Sequence, residues 1–460
     1  MSPSLSGAGC GDAARNPDIE QGECRTTGTY PRAANVGGNI LRMIGESAVN
    51  WTRTLYRPLR RAGQRALRKP AARTSWTSRQ PERYPALDHA RFVLIALVVI
   101  GHLLEQLADS GPFAAALYRW IYLFHMPAFV LVSGAVSKAD LTRRRAFALA
   151  TCVLLPYVVF QTLYPAWDAW LSGSGDWSQG YLTPYWLLWY LLSLACWRVL
   201  LPLFARLKFA LPLAVIIALA AGMAPWIDYP FSLSRTLVFF PLFLLGHRIG
   251  ARRLQQLGAA PARRFTAVLI LFAAAVGAWF LRGLDPEWLY ASMGYASLQI
   301  APLAGAVTRL ALLSASALCA LSVLALVPRR ARHAGFGRRS LTAYLVHGFL
   351  VLGLVAVGAF AWLAQALPAW AALVLCVAAG VAIAASLSTR WADRIFAPLI
   401  CPMPWMLAVG QHLVGNHSWW VAPAQPFLSG RAPPRDPSSA DGSQGVSPIR
   451  PRMEQNKRLY

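Results

Sequence analysis

Arg91 and His102 stand eleven positions apart in the apolar run RFVLIALVVIGH. At about 100° per residue, eleven steps return to within roughly 20° of the start, with about 16 Å of rise between the two side chains. Both therefore line one stripe of a helix. Asp88, Glu105 and Asp109 project into the same sector, whereas Val93, Leu97, Ile100 and Leu104 lie opposite. Ionisable groups at bilayer depth are costly and face a protein interior or a watery passage, so this helix is expected to line a site. Its most informative residue is His102. An imidazole can take a proton from a hydroxyl near neutral pH and deliver it to a leaving group. Glu105, one turn further on, is placed to assist.

Other spans carry further candidates. LYRWIYLFHMPAFVLVSG places His125 well inside the second span, at a depth expected to match that of His102. A buried histidine of this kind either packs against a backbone carbonyl or shares a cavity with His102. Pro127 bends that helix, and Ser133-Gly134 allows a neighbour to approach closely. Arg235, near the start of the sixth span, either snorkels to the interface or holds an anionic or polar group of a substrate. SLTAYLVHGFL sets Tyr344 and His347 about one turn apart on a wall between Arg91 and His102 in depth. In PYWLLWYLLSL most aromatics suit an interfacial belt, and Trp186 is the one suited to stacking on a sugar. Arg309 is a further buried cation with no obvious partner.

These residues need membrane helices to position them, and the composition provides for that. Apolar residues make up 56% of the 460 and charged residues 14%, against about a quarter charged in an ordinary soluble protein. Stretches long enough to cross a hydrocarbon core, for which about 20 residues suffice, fall near 92–108, 117–136, 146–165, 184–204, 209–226, 233–250, 265–282, 303–327, 341–362 and 368–388. Alternate connections are basic, carrying Lys138 and Arg143–Arg145, Arg206 and Lys208, Arg248 to Arg264, and Arg329 to Arg339. The others are uncharged or mildly acidic. Because Lys and Arg are retained in the cytoplasm, this predicts an all-α polytopic membrane protein of about ten transmembrane helices with both termini cytoplasmic. The same pattern explains most of the +25 net charge without nucleic acid.

Residues 1–83 read as a disordered basic cytoplasmic arm, which serves either as a topological flank or as a contact to anionic lipid. No cleavable signal peptide is expected there. Residues 84–390 form the membrane domain, and 391–460 a largely disordered cytoplasmic tail. The seven cysteines include no CxxC pair, and P-loop, HExxH and GxGxxG signatures are missing, so neither a metal nor a nucleotide-driven pump is expected. A basic cytoplasmic mouth suits a phosphate-bearing donor. With a central imidazole beyond it, acyl transfer from coenzyme A fits both ends.

Over about residues 84–390 the chain resembles the acyltransferase-3 family of integral membrane acyltransferases. The resemblance rests on LDHARFVLIALVVIGH, with its Arg-x10-His signature, and on FHMPAFVLVSGAV, supported by PYWLLWYLLSL, SRTLVFFPLFLLGHRIG and SLTAYLVHGFL. The FHMP element is similar to the fucose 4-O-acetylase-like branch. The resemblance implies His102 as catalytic base and Arg91 as a donor-binding residue, with acetyl-CoA or another acyl-CoA as co-substrate. It also implies O-acylation of envelope or secreted glycans or lipid-linked sugars. Family members with a fused extracytoplasmic domain differ from this chain, so a separate extracytoplasmic transferase is a possible partner. The expectation is thus a multi-pass O-acyltransferase of the bacterial inner membrane. Glu105 supports His102; Arg91, Tyr344 and His347 meet acyl-CoA; His125, Trp186 and Arg235 meet the acceptor. A proton-coupled secondary transporter or flippase using the same stripe is the alternative.

Overall fold

The computed structural model describes residues 84–174, 180–328 and 334–402. The basic arm expected over 1–83 and the tail from 403 onward lie outside these residues, as do Arg329, Arg330 and Arg332 of one basic connection. The described chain is all helical. Its elements are α1 (Pro85–Glu105), α2 (Pro112–Val136), α3 (Arg143–Ser172), α4 (Trp186–Phe204), α5 (Ala210–Ala221) and α6 (Leu233–Gln255). They continue with α7 (Pro261–Phe280), α8 (Pro302–Leu326), α9 (Ser340–Ala356), α10 (Ala359–Ala366), α11 (Ala369–Leu387) and α12 (Arg390–Ile400). Proline opens α1, α2, α7 and α8, where its fixed φ suits a first turn and its missing N–H costs nothing.

Seven of these helices are long and apolar enough to cross a membrane, and eight if α9 and α10 count as one bent span. This makes the protein a polytopic membrane protein. The two remaining expected spans take other forms. Helix α5 has only 12 residues, and α6 carries Arg235, His247 and Arg248 before Gly250 breaks its helical geometry at φ 76°. The ninth expected span is a broken pair, bent by 62° where Gly358 adopts φ +69°. That left-handed conformation favours glycine. Helix α3 contains a π turn at Ala150–Leu154. The tail expected from residue 391 begins with α12, whose Phe396 packs against the core and whose Ile400 is buried.

Helices α2 and α6 cross with their backbones in close approach. A methyl group at Gly134 would stand 1.9 Å from the Phe243 carbonyl oxygen, and one at Gly246 2.0 Å from that of Leu131. Small residues permit such backbone approach between membrane helices, where dispersion rather than water expulsion drives association. Helix α9 leans on α3 through Tyr164, which donates to the Leu345 carbonyl at 2.9 Å, and Trp167, which donates to that of Phe349 at 3.1 Å. His247 of α6 donates to the Ser137 carbonyl at 2.9 Å and Arg248 to the Leu207 and Lys208 carbonyls at 3.4 and 3.3 Å, so the connections carrying Lys138, Arg143–Arg145, Arg206 and Lys208 gather beside this part of α6, called here the basic end.

Gly246→Val should therefore destabilise the protein by about 1–3 kcal/mol or more, lowering its melting temperature in detergent and its monodisperse yield. Gly353→Ala has open space around it and should be neutral or mildly stabilising.

Candidate active site

Helix α1 brings His102 to its last turn, where Glu105 lies one turn further on. The His102 Nδ1 and Glu105 Oε2 are 3.1 Å apart. The Tyr122 hydroxyl on α2 donates to the same carboxylate oxygen at 3.2 Å and lies 3.3 Å from the same ring nitrogen. With Nδ1–H directed at a carboxylate, Nε2 is left as the lone-pair nitrogen. This is the arrangement in which a carboxylate fixes the tautomer of a base and stabilises the imidazolium it becomes. The side chains of His102 and Glu105 are 13% and 30% exposed, so the pair is recessed yet reachable.

Two rings enclose the imidazole. His347 of α9 stacks on it at 5.5 Å with 25° between planes, and Trp186 meets it edge-on at 4.4 Å. Nδ1–H of His347 donates to the Ala343 carbonyl at 2.9 Å, and its buried Nε2 has no partner among the described residues. Trp186 adopts φ 37°, a conformation that costs a non-glycine residue about 1–3 kcal/mol and survives where the surroundings impose it. The segment that leads into Trp186 is held by Gln161 of α3. Its amide donates to the carbonyls of Gly180 and Thr183 at 3.1 and 2.8 Å, and its oxygen accepts from the Tyr185 N–H at 2.8 Å. Tyr157 also donates to the Tyr181 carbonyl at 2.7 Å. One helix face thus holds the segment that delivers Trp186.

A layer of phenols surrounds the pair. Tyr118 packs on Tyr122 with centroids 4.2 Å apart and shares a short hydrogen bond with Tyr290, whose ring lies 5.4 Å from that of Tyr122. Arg235 donates from Nε to the Tyr290 carbonyl at 3.2 Å, and its guanidinium lies 5.3 Å from the Trp189 ring and 4.9 Å from that of Tyr229. Such cation–π placement orients a cation without neutralising it.

The expected residues therefore separate into groups. His102, Glu105, Trp186 and His347 come together. His125 does not reach His102: Tyr122 lies beside it at 4.6 Å, and its Nδ1–H donates to the Ile121 carbonyl at 2.9 Å. Tyr344 is bonded to the Leu187 carbonyl and packs against Tyr190 at 5.8 Å. Arg91 lies towards the basic end in an ion pair with Asp88, 3.1 Å apart. Arg309 donates to the Met293 carbonyl at 2.8 Å, with its guanidinium against the rings of Trp288 and Tyr295. Sequence reasoning missed Tyr122, Tyr118 and Gln161. The signal for two of them was present, because Tyr118, Tyr122 and His125 share a stripe at helical spacing. Among the described residues no group of three His, Cys, Asp or Glu side chains could hold a metal ion.

With this geometry in place, the comparisons are specific. The acyltransferase-3 family profile, described as an acyltransferase domain, matches residues 84–389, and the chain belongs to that family. It is a membrane acyltransferase. The chain is similar to the nodulation protein NolL of Mesorhizobium japonicum, 42% identical over 62 residues, covering 13% of this chain and 17% of that protein. It is also similar to the nodulation protein NolL of Sinorhizobium fredii, 27% identical over 139 residues, covering 27% of this chain and 38% of that protein. The matched regions thus span well under half of these relatives. No solved structure matches.

Removing the Tyr122 hydroxyl takes one donor from Glu105 while leaving the ring packing intact. Tyr122→Phe should reduce turnover about tenfold, the scale of one charge-assisted hydrogen bond, with an unchanged melting temperature. Gln161→Leu, which leaves three backbone groups unpartnered, should lower both. Steady-state acylation rates beside thermal melts separate the two outcomes.

Proposed function

We propose that this acyltransferase moves an acyl group, most simply acetyl, from acyl-CoA to a hydroxyl of a glycan or lipid-linked sugar, with His102 as general base. The observation that carries the reading is the His102–Glu105 contact at 3.1 Å, shared with Tyr122. Nε2 of His102 takes the acceptor hydroxyl proton as the oxygen attacks the thioester carbonyl. The tetrahedral intermediate then collapses, the carbon–sulfur bond breaks, and the imidazolium returns the proton to the departing thiolate. Glu105 stabilises the transient cation throughout. Direct transfer needs only the base and an aligned hydroxyl. Trp186 offers a face for a sugar beside the base. Arg235 and the phenols of Tyr118 and Tyr290 line the acceptor side, with His125 behind Tyr122 supporting that wall.

The basic end faces the cytoplasm in this reading, by the retention of Lys and Arg. Acyl-CoA approaches from there past Arg91, and Tyr344 with His347 forms the wall between that end and His102. Both termini then lie in the cytoplasm, and the protein resides in a bacterial inner membrane. The acceptor reaches the site from the opposite face, alone or handed on by a separate extracytoplasmic transferase. The transporter alternative gains no support from membership in an acyltransferase family.

His102→Ala, assayed as acetyl-CoA consumption by the purified full chain, should lose about 10²–10⁴-fold of the rate, the range for removing a general base. Envelope glycans from cells carrying that variant should lack the acyl mass increment seen with the wild type. Full acylation by a correctly inserted His102→Ala protein would overturn the assignment.

A further inference from the structure

The basic end holds a charge arrangement that the reaction above does not use. Arg91, the cation implied by the Arg-x10-His signature, is already matched by Asp88 at 3.1 Å, and its side chain is only 14% exposed. Arg198, on the last turns of α4, has no carboxylate partner among the described residues. Its one hydrogen bond is to the Ser137 hydroxyl, at 3.5 Å. It is half-buried and stands within charge-interaction range of Arg145. Arg145 pairs with Asp140, and that hydrogen bond holds the Asp140 carboxyl below its usual range. The carboxylate beside the two guanidinium groups is thus taken by Arg145, which leaves the positive charge of Arg198 uncompensated among the described residues in a half-buried setting. Such a charge is costly unless an anion joins it.

The rest of the cluster is hydrogen-bonded. The backbone carbonyl of Ser137 accepts from His247 Nδ1 at 2.9 Å, and the Ser137 hydroxyl donates to the Ser133 carbonyl at 2.7 Å. Ser133 in turn bonds the Tyr190 hydroxyl at 2.6 Å, so polar groups continue from Arg198 into the bundle. Twelve positions of α4 separate Arg198 from Trp186 at the candidate base, about 18 Å of helical rise. That is the length scale of an extended pantetheine arm. Guanidinium groups suit phosphate because their planar fork donates to two oxygens at once.

We infer that Arg198, with Arg145 beside it, binds a phosphate of the acyl donor's nucleotide end, leaving the thioester to reach His102. The inference rests on the coenzyme A reading above. The shared chemistry is a phosphate group, and a lipid headgroup at the membrane face is the competing source.

The test uses the full chain in phosphatidylcholine nanodiscs, titrated calorimetrically with coenzyme A, 3′-dephospho-coenzyme A and pantetheine. Arg198→Gln should weaken coenzyme A at least tenfold and leave pantetheine unchanged, with Arg198→Lys intermediate and Arg145→Gln showing a smaller loss. Melting temperatures within the wild-type range identify variants that fold. Wild-type coenzyme A affinity in folded Arg198→Gln overturns the inference, as does equal weakening of pantetheine, which would mark a structural role. Repeating the titration with phosphatidylglycerol present and weighing the complexes by native mass spectrometry addresses the other source. Loss of bound anionic lipid from Arg198→Gln at unchanged coenzyme A affinity assigns the site to a headgroup and overturns the donor assignment. Wild-type protein that binds no coenzyme A in any disc overturns the donor reading itself, an outcome distinct from failure at Arg198 alone.

Discussion

The contact between the His102 ring and the Glu105 carboxylate constrains the rest of this structure. Two groups that water would solvate generously are recessed within a membrane bundle, where each unpaired polar atom costs on the order of 1–3 kcal/mol. The chain meets that cost locally. The partners share one helix at a three-residue spacing, and Tyr122 supplies the second donor to the same oxygen. Tyr118 and Tyr290 then occupy the shell behind Tyr122 by bonding each other. Polar satisfaction thus spreads outward from the carboxylate through phenols, which present an apolar ring to the bundle and a hydroxyl to a partner.

Much of this was legible because a membrane helix leaves few ways to hide an ionisable group. The stripe of α1, the apolarity of the long spans and the alternation of basic connections all followed from periodicity and charge. The His102–Glu105 pairing followed too, since residues three apart on a helix meet. Partners from other helices were not legible. That His347 rather than His125 stacks on His102 depends on the rotation of α2 and α9 about their axes, and a pattern of apolar residues on nearly every face does not fix that rotation. The same ambiguity hid Gln161, whose partners are backbone groups of a loop and therefore carry no side-chain signature. Lengths misled where breaks occur: the Gly358 bend and the short α5 sit inside runs that read as continuous hydrophobic spans.

The two ends of the bundle differ in charge. At the basic end cations outnumber the acids that meet them among the described residues: Arg145 is paired with Asp140, and Arg198 has only the Ser137 hydroxyl. Beside His102 the Glu105 carboxylate is committed to the imidazole and a phenol. Arg235 is oriented by Trp189, Tyr229 and the Tyr290 carbonyl. A stacked cation keeps its terminal donors directed while losing little rotamer freedom on binding. These groups are positioned by contacts within the protein itself, which in the proposed reaction is the condition under which fixed dipoles and charges contribute most to catalysis.

The strained backbone at Trp186 belongs to the same logic. A bulky residue held at positive φ is retained only if neighbouring contacts over-determine it, and here three hydrogen bonds from Gln161 and one from Tyr157 do so. Those anchors belong to α3, which also bonds the α9 backbone through Tyr164 and Trp167. Both rings flanking His102 therefore take their positions from one helix: Trp186 through the loop and His347 through α9. A rotation of α3 would move the stacking face and the edge-on face together, so the imidazole would lose its orientation as a unit rather than one contact at a time. Such coupling explains why a helix that contributes no group to the proposed chemistry carries a buried glutamine fully committed to backbone partners.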